Sequence, residues 1–312
     1  MVNTDTSEQL WYEKVVNASV AIGAIGYGLH IAVFYTAVSG IFKARDRAGA
    51  LKWFPLLFIL FSLGTINIAG SLRFNQVAFI DQRKYEGGPA AFFSAEQSNS
   101  GNVAAVATSI AMMVFADAFM IYRIHTLGKR IVITAVAAAV LVASVVMSGF
   151  HAVELINENS SSNLKYSIPY VSLATILNIL ITLVMAPRLL ELRRQISISQ
   201  DPTRAKFTNL EALVVETAFP TGLLSLIFII LYGFQKVGSL LFLPLLVQVM
   251  AIMPGLIISR MVRGYAWSND VVGRLRNPSS SIGRTVNGDF PQDVVTLNDL
   301  GNDPKSVSNR LA

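Results

Sequence analysis

The stretch that decides the fold is the apolar run at residues 131–150, which reads IVITAVAAAVLVASVVMSGF. It contains no charged residue, and at 1.5 Å per residue a helix of this length spans the hydrocarbon core of a bilayer, which is roughly 30 Å thick. A surface helix of a soluble protein would instead carry a charged or polar stripe along one face. This run therefore predicts a transmembrane helix.

The composition of the whole chain of 312 residues agrees with this prediction. Hydrophobic residues make up 53% and charged residues 14%, whereas soluble domains carry about 25% charged residues. This balance excludes a soluble globular enzyme, a disordered protein and a coiled coil. Cysteine is absent and the three histidines are far apart, so the sequence predicts no metal site and no cofactor.

Apolar runs of membrane length occur seven times along the chain. The fold class predicted from them is all-α: a polytopic integral membrane protein with a bundle of seven transmembrane helices. The spans are predicted at about 15–42, 53–72, 103–124, 130–150, 167–188, 210–232 and 239–260. They are flanked by an outer N-terminal segment at 1–14, an amphipathic helix on the inner surface at 261–276 and a disordered cytoplasmic tail at 277–312.

The lysines and arginines between the spans predict the orientation. Sixteen of them flank one side of the predicted spans and six flank the other. The positive-inside rule places the richer side in the cytoplasm, so the N-terminus is outside and the C-terminus inside. This pattern predicts the plasma membrane or a membrane of the secretory pathway, with the lipid bilayer as partner and no nucleic-acid binding. Asn159, in the triplet Asn-Ser-Ser of an outer loop, is a candidate for N-glycosylation.

The first outer loop, at about 73–102, is long and rich in aromatic residues. Pro89 follows two glycines and predicts a short helix through residues 90–97. One interpretation is a lid over the outer mouth of the bundle. The other is an interfacial segment whose aromatic side chains lie among the lipid headgroups.

Two carboxylates lie within predicted spans, Asp117 in the third and Glu216 in the sixth. An acidic residue at the bilayer centre costs about 2.5–3.5 kcal/mol, so such residues normally face the bundle interior. Both lie roughly 10 Å from the cytoplasmic boundary at 1.5 Å per residue. We therefore predict that they share one cavity as a ligand or proton site, in which at least one carboxyl group keeps its proton.

Other polar residues within the spans are weaker candidates for the same site. Asn67, Asn178 and Gln248 either line the ligand or proton site or form hydrogen bonds between helices. At the inner face, Arg123 and Glu211 are candidates for a switch between spans three and six. The alternative for Arg123 is that its side chain extends to lipid phosphate.

The chain resembles a large family of seven-helix membrane proteins from mushroom-forming basidiomycete fungi, over roughly residues 15–267. The motifs that carry the resemblance include Phe79-Ile80-Asp81 before Gly87-Gly88-Pro89, and Asp117 with Tyr122-Arg123. They continue with Asn178 and Thr182, with Glu216-Thr217, and with the run PGLIISR at residues 254–260. Gly255 departs from the family, which often carries Thr at that position. The resemblance implies the fold and a membrane location but no established activity.

A receptor-like role in sensing or signalling is the function that the sequence favours. Seven spans, an outer N-terminus, an arginine at the inner end of span three and a long basic third inner loop support it. Such a protein would bind a small-molecule ligand and a cytoplasmic signalling partner. The alternatives are a transporter of protons or small solutes and an intramembrane enzyme of the terpene-cyclase type that uses Asp117 and Glu216. Transport and enzymatic catalysis are favoured equally, and the sequence favours a non-enzymatic role over an enzymatic one.

The orientation can be tested by proteolysis of sealed, right-side-out vesicles that contain the full chain. The uneven distribution of basic residues predicts that a protease added outside leaves the C-terminal tail intact and that detergent makes the tail cleavable. Cleavage of the tail in intact vesicles would contradict the predicted orientation.

Overall fold

The computed structural model describes residues 3–44, 47–128, 131–156, 166–197, 221–234 and 236–262. Within these ranges the chain consists of helices joined by short turns, without β-strands. The predicted all-α class is therefore confirmed. A helix satisfies its backbone N–H and C=O groups within one segment, which is what a hydrocarbon environment without water requires.

The helices differ widely in length. We number them in chain order, and α8 is defined by its described part. They are α1 (Asn3–Lys43), α2 (Arg47–Leu51), α3 (Phe54–Gln76), α4 (Gly88–Ala95), α5 (Ser100–Gly128), α6 (Ile131–Ile156), α7 (Ser167–Ser197), α8 (Thr221–Gly233) and α9 (Ser239–Val262).

Five of the described segments are long and apolar enough to cross a membrane. They contain α1, α3, α5, α6 and α9, whereas α7 and α8 contribute shorter apolar stretches, Ile168–Val184 and Thr221–Gly233. Large apolar side chains also cover the outside of the bundle: Ile25 is 69% exposed, Val132 75% and Leu183 66%. A continuous apolar exterior is unfavourable in water and suits contact with lipid. The chain is accordingly an all-α protein compatible with a multi-pass membrane protein.

The buried apolar residues form three layers along the bundle. The cap cluster contains Val16, Phe74, Phe92 and Phe93. The central cluster includes the following residues: Leu60, Met112, Met113, Ala116, Phe228 and Met250. The basic-end cluster lies near the basic residues after α1, and includes the following: Ala37, Ile41, Leu57, Phe119, Leu177 and Ile257.

The direction of the chain alternates between these layers. α1 enters the cap cluster with Val16 and reaches the basic-end cluster with Ile41, whereas α3 starts in the basic-end cluster with Leu57 and reaches the cap cluster with Phe74. α9 runs as α1 does, from Leu240 beside the cap cluster to Ile257. α1 and α9 are therefore parallel to each other and antiparallel to α3.

Glycines allow the backbones of neighbouring helices to approach closely. An ideal Cβ atom built on Gly70 of α3 would lie 2.6 Å from the carbonyl oxygen of Gly101 in α5. Between α1 and α9, a Cβ atom on Gly23 would lie 3.1 Å from Pro244 Cβ, and one on Gly255 2.9 Å from Val33 Cγ1. The contact with Val33 gives a physical reason for glycine at position 255.

Two boundaries differ from the sequence-based predictions. α1 begins at Asn3, so the segment before residue 15 continues the first helix instead of forming a separate element. α3 extends to Gln76 and continues as a π-helical turn, Val77–Asp81, so the connection to α4 starts later than residue 73. Neither stretch contains the glycine or proline that would end a helix. The predicted tail and most of the segment 261–276 lie outside the described residues.

The predicted aromatic connection folds into α4, which packs into the cap cluster. α4 begins at a Gly-Gly-Pro sequence in which Gly87 and Gly88 have φ angles of 87° and 79°, a left-handed conformation that favours glycine. Phe92 and Phe93 are buried, and the Phe93 ring lies 4.6 Å from that of Phe74. These aromatic side chains therefore pack against the end of the bundle instead of projecting into the surroundings.

The crossing of α3 and α5 predicts a specific sensitivity at Gly70. Gly70→Ala should lower the free energy of unfolding by about 1–3 kcal/mol, because its methyl group would clash with the backbone of α5. The measurement is thermal unfolding in detergent, followed by the fluorescence of the three tryptophans. Gly149→Ala is the matched control, since nothing lies within 4 Å of that position. Equal stability of the two variants would contradict the close crossing.

Candidate polar site inside the helical bundle

Asp117 lies inside the bundle, on the face of α5 that contributes to the central cluster. Its side chain is 4% exposed, and Met113, one turn earlier, and Ala116 belong to the same apolar layer. The carboxyl group interacts electrostatically with the phenol of Tyr170 on α7. The structure thus places the one acidic residue of this helix near a polar group of another helix.

Tyr170 joins three helices at this point. Its Oη donates a hydrogen bond to Met113 Sδ on α5 at 3.1 Å. Its ring stacks on the imidazole of His151 on α6, with centroids 5.7 Å apart and planes inclined by 19°. Further along α6, Glu154 accepts a hydrogen bond from the backbone N–H of Tyr166 at 3.3 Å. A row of polar groups therefore leads from Glu154 through His151 and Tyr170 to Asp117.

Asn178 is buried between α7 and α9. Its Nδ2 donates to the carbonyl oxygen of Ala174 at 2.9 Å and lies 3.9 Å from Met250 Sδ. One turn later, Thr182 Oγ1 donates to the carbonyl oxygen of Asn178 at 2.8 Å. Thr182 also packs against α8, because an ideal Cβ atom on Gly222 would lie 2.8 Å from Thr182 Oγ1. This part of α7 is therefore enclosed by two other helices.

Asn67 has a local structural explanation. Its Nδ2 donates to the carbonyl oxygen of Ala105 on α5 at 2.7 Å. This hydrogen bond lies beside the crossing of Gly70 and Gly101, where the two backbones are closest. Hydrogen bonding between helices accounts for an asparagine at this position, and the structure places it away from Asp117 along α5.

His30 and Gln248 form a second buried polar pair, between α1 and α9. His30 is 4% exposed and Gln248 1%. The amide of Gln248 is the polar neighbour of the His30 ring. Within the described residues, neither amide atom of Gln248, nor Nδ1 of His30, has a partner with hydrogen-bond geometry.

Arg123 is buried at the basic end of α5. Its side chain is 3% exposed, and Nη1 lies 3.1 Å from Met261 Sδ at the end of α9. A side chain so enclosed does not extend to lipid phosphate, which was one of the two sequence-based readings of Arg123. Its other expected partner, Glu211, lies outside the described residues.

The two remaining predicted site residues, Glu216 and Asn159, also lie outside the described residues. A cavity shared by Asp117 and Glu216 and glycosylation at Asn159 therefore stay predictions. The structure instead places Asp117 near Tyr170, whose ring stacks on that of His151, and sequence reasoning selected neither Tyr170 nor His151. Tyr170 lies three residues into α7 and His151 five residues before the end of α6. Both residues lie close to the connection between α6 and α7, and this nearness in sequence was the signal that could have identified the pair.

Comparison with protein-family models, with curated proteins and with solved structures gives no match for this chain. Among the described residues, no group of three or more histidine, aspartate or glutamate side chains is arranged to hold a metal ion. The candidate site therefore has to be argued from its own geometry: buried polar side chains on four helices, embedded in the central apolar layer.

Tyr170→Phe tests the link between α5 and α7. The variant keeps the stacked ring but loses the hydrogen bond to Met113 and the interaction with Asp117, so the free energy of unfolding should fall by about 0.5–1.5 kcal/mol. Tyr166→Phe, at an exposed position on the same side of the bundle, should be neutral. Thermal unfolding of both variants in detergent measures the difference. A Tyr170→Phe variant as stable as the wild-type protein would show that this hydroxyl group makes no net contribution.

Proposed function

We propose that this chain is a receptor-like membrane protein of seven helices that responds to a small molecule or a proton at its buried polar side chains. The observation that carries the proposal is the burial of His30, Asp117, Asn178 and Gln248, contributed by α1, α5, α7 and α9. Burial of such groups in an apolar interior is costly, and polar residues at membrane depth commonly mark functional sites. A change in the partner of any one of them alters how these helices pack.

The apolar layers on both sides of the polar residues favour signalling over passage of a solute. The cap cluster packs α4 against the ends of α1 and α3, and the basic-end cluster fills the opposite end of the bundle. At that opposite end, buried Arg123 contacts Met261 of α9. A rearrangement near Asp117 can therefore be transmitted to the basic end by movement of α5. This transmission does not require a channel for a solute.

The family and the topology belong to the same proposal. The alternating direction of α1, α3 and α9, the two shorter apolar stretches in α7 and α8, and the excess of basic residues on one side support seven spans with the cap outside. The C-terminus is then cytoplasmic, in the plasma membrane or a membrane of the secretory pathway, where a signalling partner can bind. Membership of the basidiomycete seven-helix family rests on the motifs at Asp117, Arg123, Asn178 and the end of α9.

Transport and terpene-cyclase-type catalysis remain the alternatives, and no contact among the described residues favours either. Transport by way of Asp117 requires that the carboxyl group reach both sides of the membrane. Catalysis with two carboxyl groups requires Glu216, which lies outside the described residues.

Proton transport can be separated from a receptor-like role without knowledge of a ligand. In proteoliposomes containing a pH-sensitive dye and an imposed potassium diffusion potential, the wild-type protein should give no proton flux above that of empty liposomes. Asp117→Asn should behave identically, because apolar clusters pack the described helices on either side of Asp117. A flux in the wild-type protein that disappears in Asp117→Asn would overturn the proposal in favour of transport.

The receptor-like role itself is tested with ligand-induced stabilisation. Unfolding temperatures of the purified protein are measured against a library of small organic molecules. We expect compounds that stabilise the wild-type protein but not Asp117→Asn or Asn178→Ala. Asn67→Ala is the control that should still respond, since its hydrogen bond joins α3 to α5 away from Asp117. Compounds that stabilise all variants equally would show that the buried polar residues are not the binding site.

A further inference from the structure

Three basic side chains, which we call the basic turn, lie on the connection from α1 to α3 at the basic end of the bundle. Lys43 ends α1, Arg47 begins α2 and Lys52 follows α2, and all three residues are exposed. Arg47 Nε donates a hydrogen bond to the carbonyl oxygen of Phe42 at 2.9 Å. This bond holds the guanidinium group against the last turn of α1, which also contains Lys43.

Aromatic side chains adjoin the basic turn. Lys52 Nζ lies 5.9 Å from the centroid of the Trp53 ring. That ring packs edge-on against Phe119 and Tyr122 of α5, with centroids 5.7 and 5.8 Å away. Tyr122 is 44% exposed, so the aromatic group reaches the outside of the bundle. Tryptophan and tyrosine are enriched where membrane proteins meet lipid headgroups, which indicates that the basic turn lies at headgroup level.

Exposed apolar side chains surround the basic turn and continue from it along α3. Phe54 and Phe58 stack with centroids 6.0 Å apart, and Phe58 is 53% exposed. Beside the basic residues, Phe42 is 54% exposed and Leu51 52%. A positive group next to an apolar surface complements a phosphate group that carries acyl chains. A soluble anion would leave the apolar part of this surface unused.

The cap end has the same number of basic residues in a comparable stretch but a different charge balance. These exposed residues are Arg73, Arg83 and Lys84. Residues 73–86 contain three basic and two acidic residues, and Arg73 Nη1 lies 3.4 Å from Asp81 Oδ2 in an ion pair. Residues 43–52 contain four basic residues and one acidic residue, Asp46, which lies outside the described residues. Within the described part of that stretch, no basic residue forms an ion pair.

We propose that the basic turn binds an anionic phospholipid, whose phosphate group lies among the three basic side chains and whose acyl chain lies along Phe54 and Phe58. Each basic side chain near an anionic membrane surface strengthens binding roughly fivefold. Trp53 lies between the charged and the apolar part of this site and also packs on α5. The lipid therefore contacts residues that join the end of α1 to α5, and its binding does not depend on the ligand proposed for Asp117.

Quenching of Trp53 by brominated lipids tests this site. Trp11→Phe and Trp267→Phe together leave Trp53 as the single tryptophan of the full chain. The protein is reconstituted in liposomes that contain increasing fractions of phosphatidylserine or phosphatidylcholine, each brominated on the same acyl chain. We expect phosphatidylserine to reach half-maximal quenching at a several-fold lower mole fraction than phosphatidylcholine. Equal quenching by the two lipids would overturn the proposal.

Matched charge variants in the same single-tryptophan chain locate the site. The test variant combines Lys43→Gln, Arg47→Gln and Lys52→Gln. The control variant removes three charges at the cap end by Arg73→Gln, Arg83→Gln and Lys84→Gln. The test variant should lose most of the preference for phosphatidylserine, and the control should keep it. Equal preferences in the two variants would overturn the assignment to the basic turn. If the triple test variant does not fold, Lys52→Gln alone should lower the preference, and an unchanged preference would overturn the assignment.

A competition experiment separates a lipid from a soluble anion as the ligand. Inorganic phosphate is added to the liposomes, and potassium chloride at the same ionic strength is added to a parallel sample. Phosphate lacks acyl chains, so it should reduce quenching by phosphatidylserine no more than chloride does. A clearly stronger effect of phosphate would show that the basic turn binds a soluble anion, and it would overturn the assignment to a lipid.

Discussion

The constraint on which the rest of this structure depends is the cost of burying polar side chains in an apolar interior. A bundle that faces lipid has no polar solvent with which to pair an amide, an imidazole or a carboxyl group, so each one must find its partner within the protein. Asn67 finds a backbone carbonyl oxygen on the next helix and Asn178 one on its own helix. The amide atoms of Gln248 have no such partner of hydrogen-bond geometry among the described residues, and this distinguishes Gln248 from the asparagines that build the bundle.

Close helix contacts determine where these side chains can lie. The glycines of α1 and α3 let α9 and α5 approach to backbone or Cβ contact, as Gly26 does with Gln248 and Gly70 with Gly101. With larger residues at those positions, the helices would separate and the polar side chains between them would become accessible to lipid. The glycines are therefore part of the polar site, although they contribute no chemistry to it.

The fold class followed from the sequence because runs of apolar residues reflect the bilayer directly. The predicted span 130–150 corresponds to α6, which begins at Ile131 and continues to Ile156, and the predicted span 239–260 corresponds to α9. The contacts inside the bundle were less predictable, because helix rotation and crossing angle decide which side chains meet. Asp117 was selected only because a carboxylate within a transmembrane span is costly. Its neighbour Tyr170 could not be selected, because its sequence context is that of any tyrosine near the membrane interface. The burial of Arg123 could not be predicted either. The sequence around an arginine at the end of a span does not show whether its side chain faces lipid or α9.

The attachments of α5 indicate which way a change at Asp117 would travel. The first half of α5 is held against α3 by the crossing of Gly70 with Gly101 and by the hydrogen bond from Asn67 to Ala105. These contacts involve backbone atoms and leave little freedom to slide. Its second half contacts other helices through side chains, with Asp117 near Tyr170 and Arg123 against Met261. Side-chain contacts rearrange more easily than a backbone crossing, so a change of partner at Asp117 would move α5 at the basic end and leave the cap end in place.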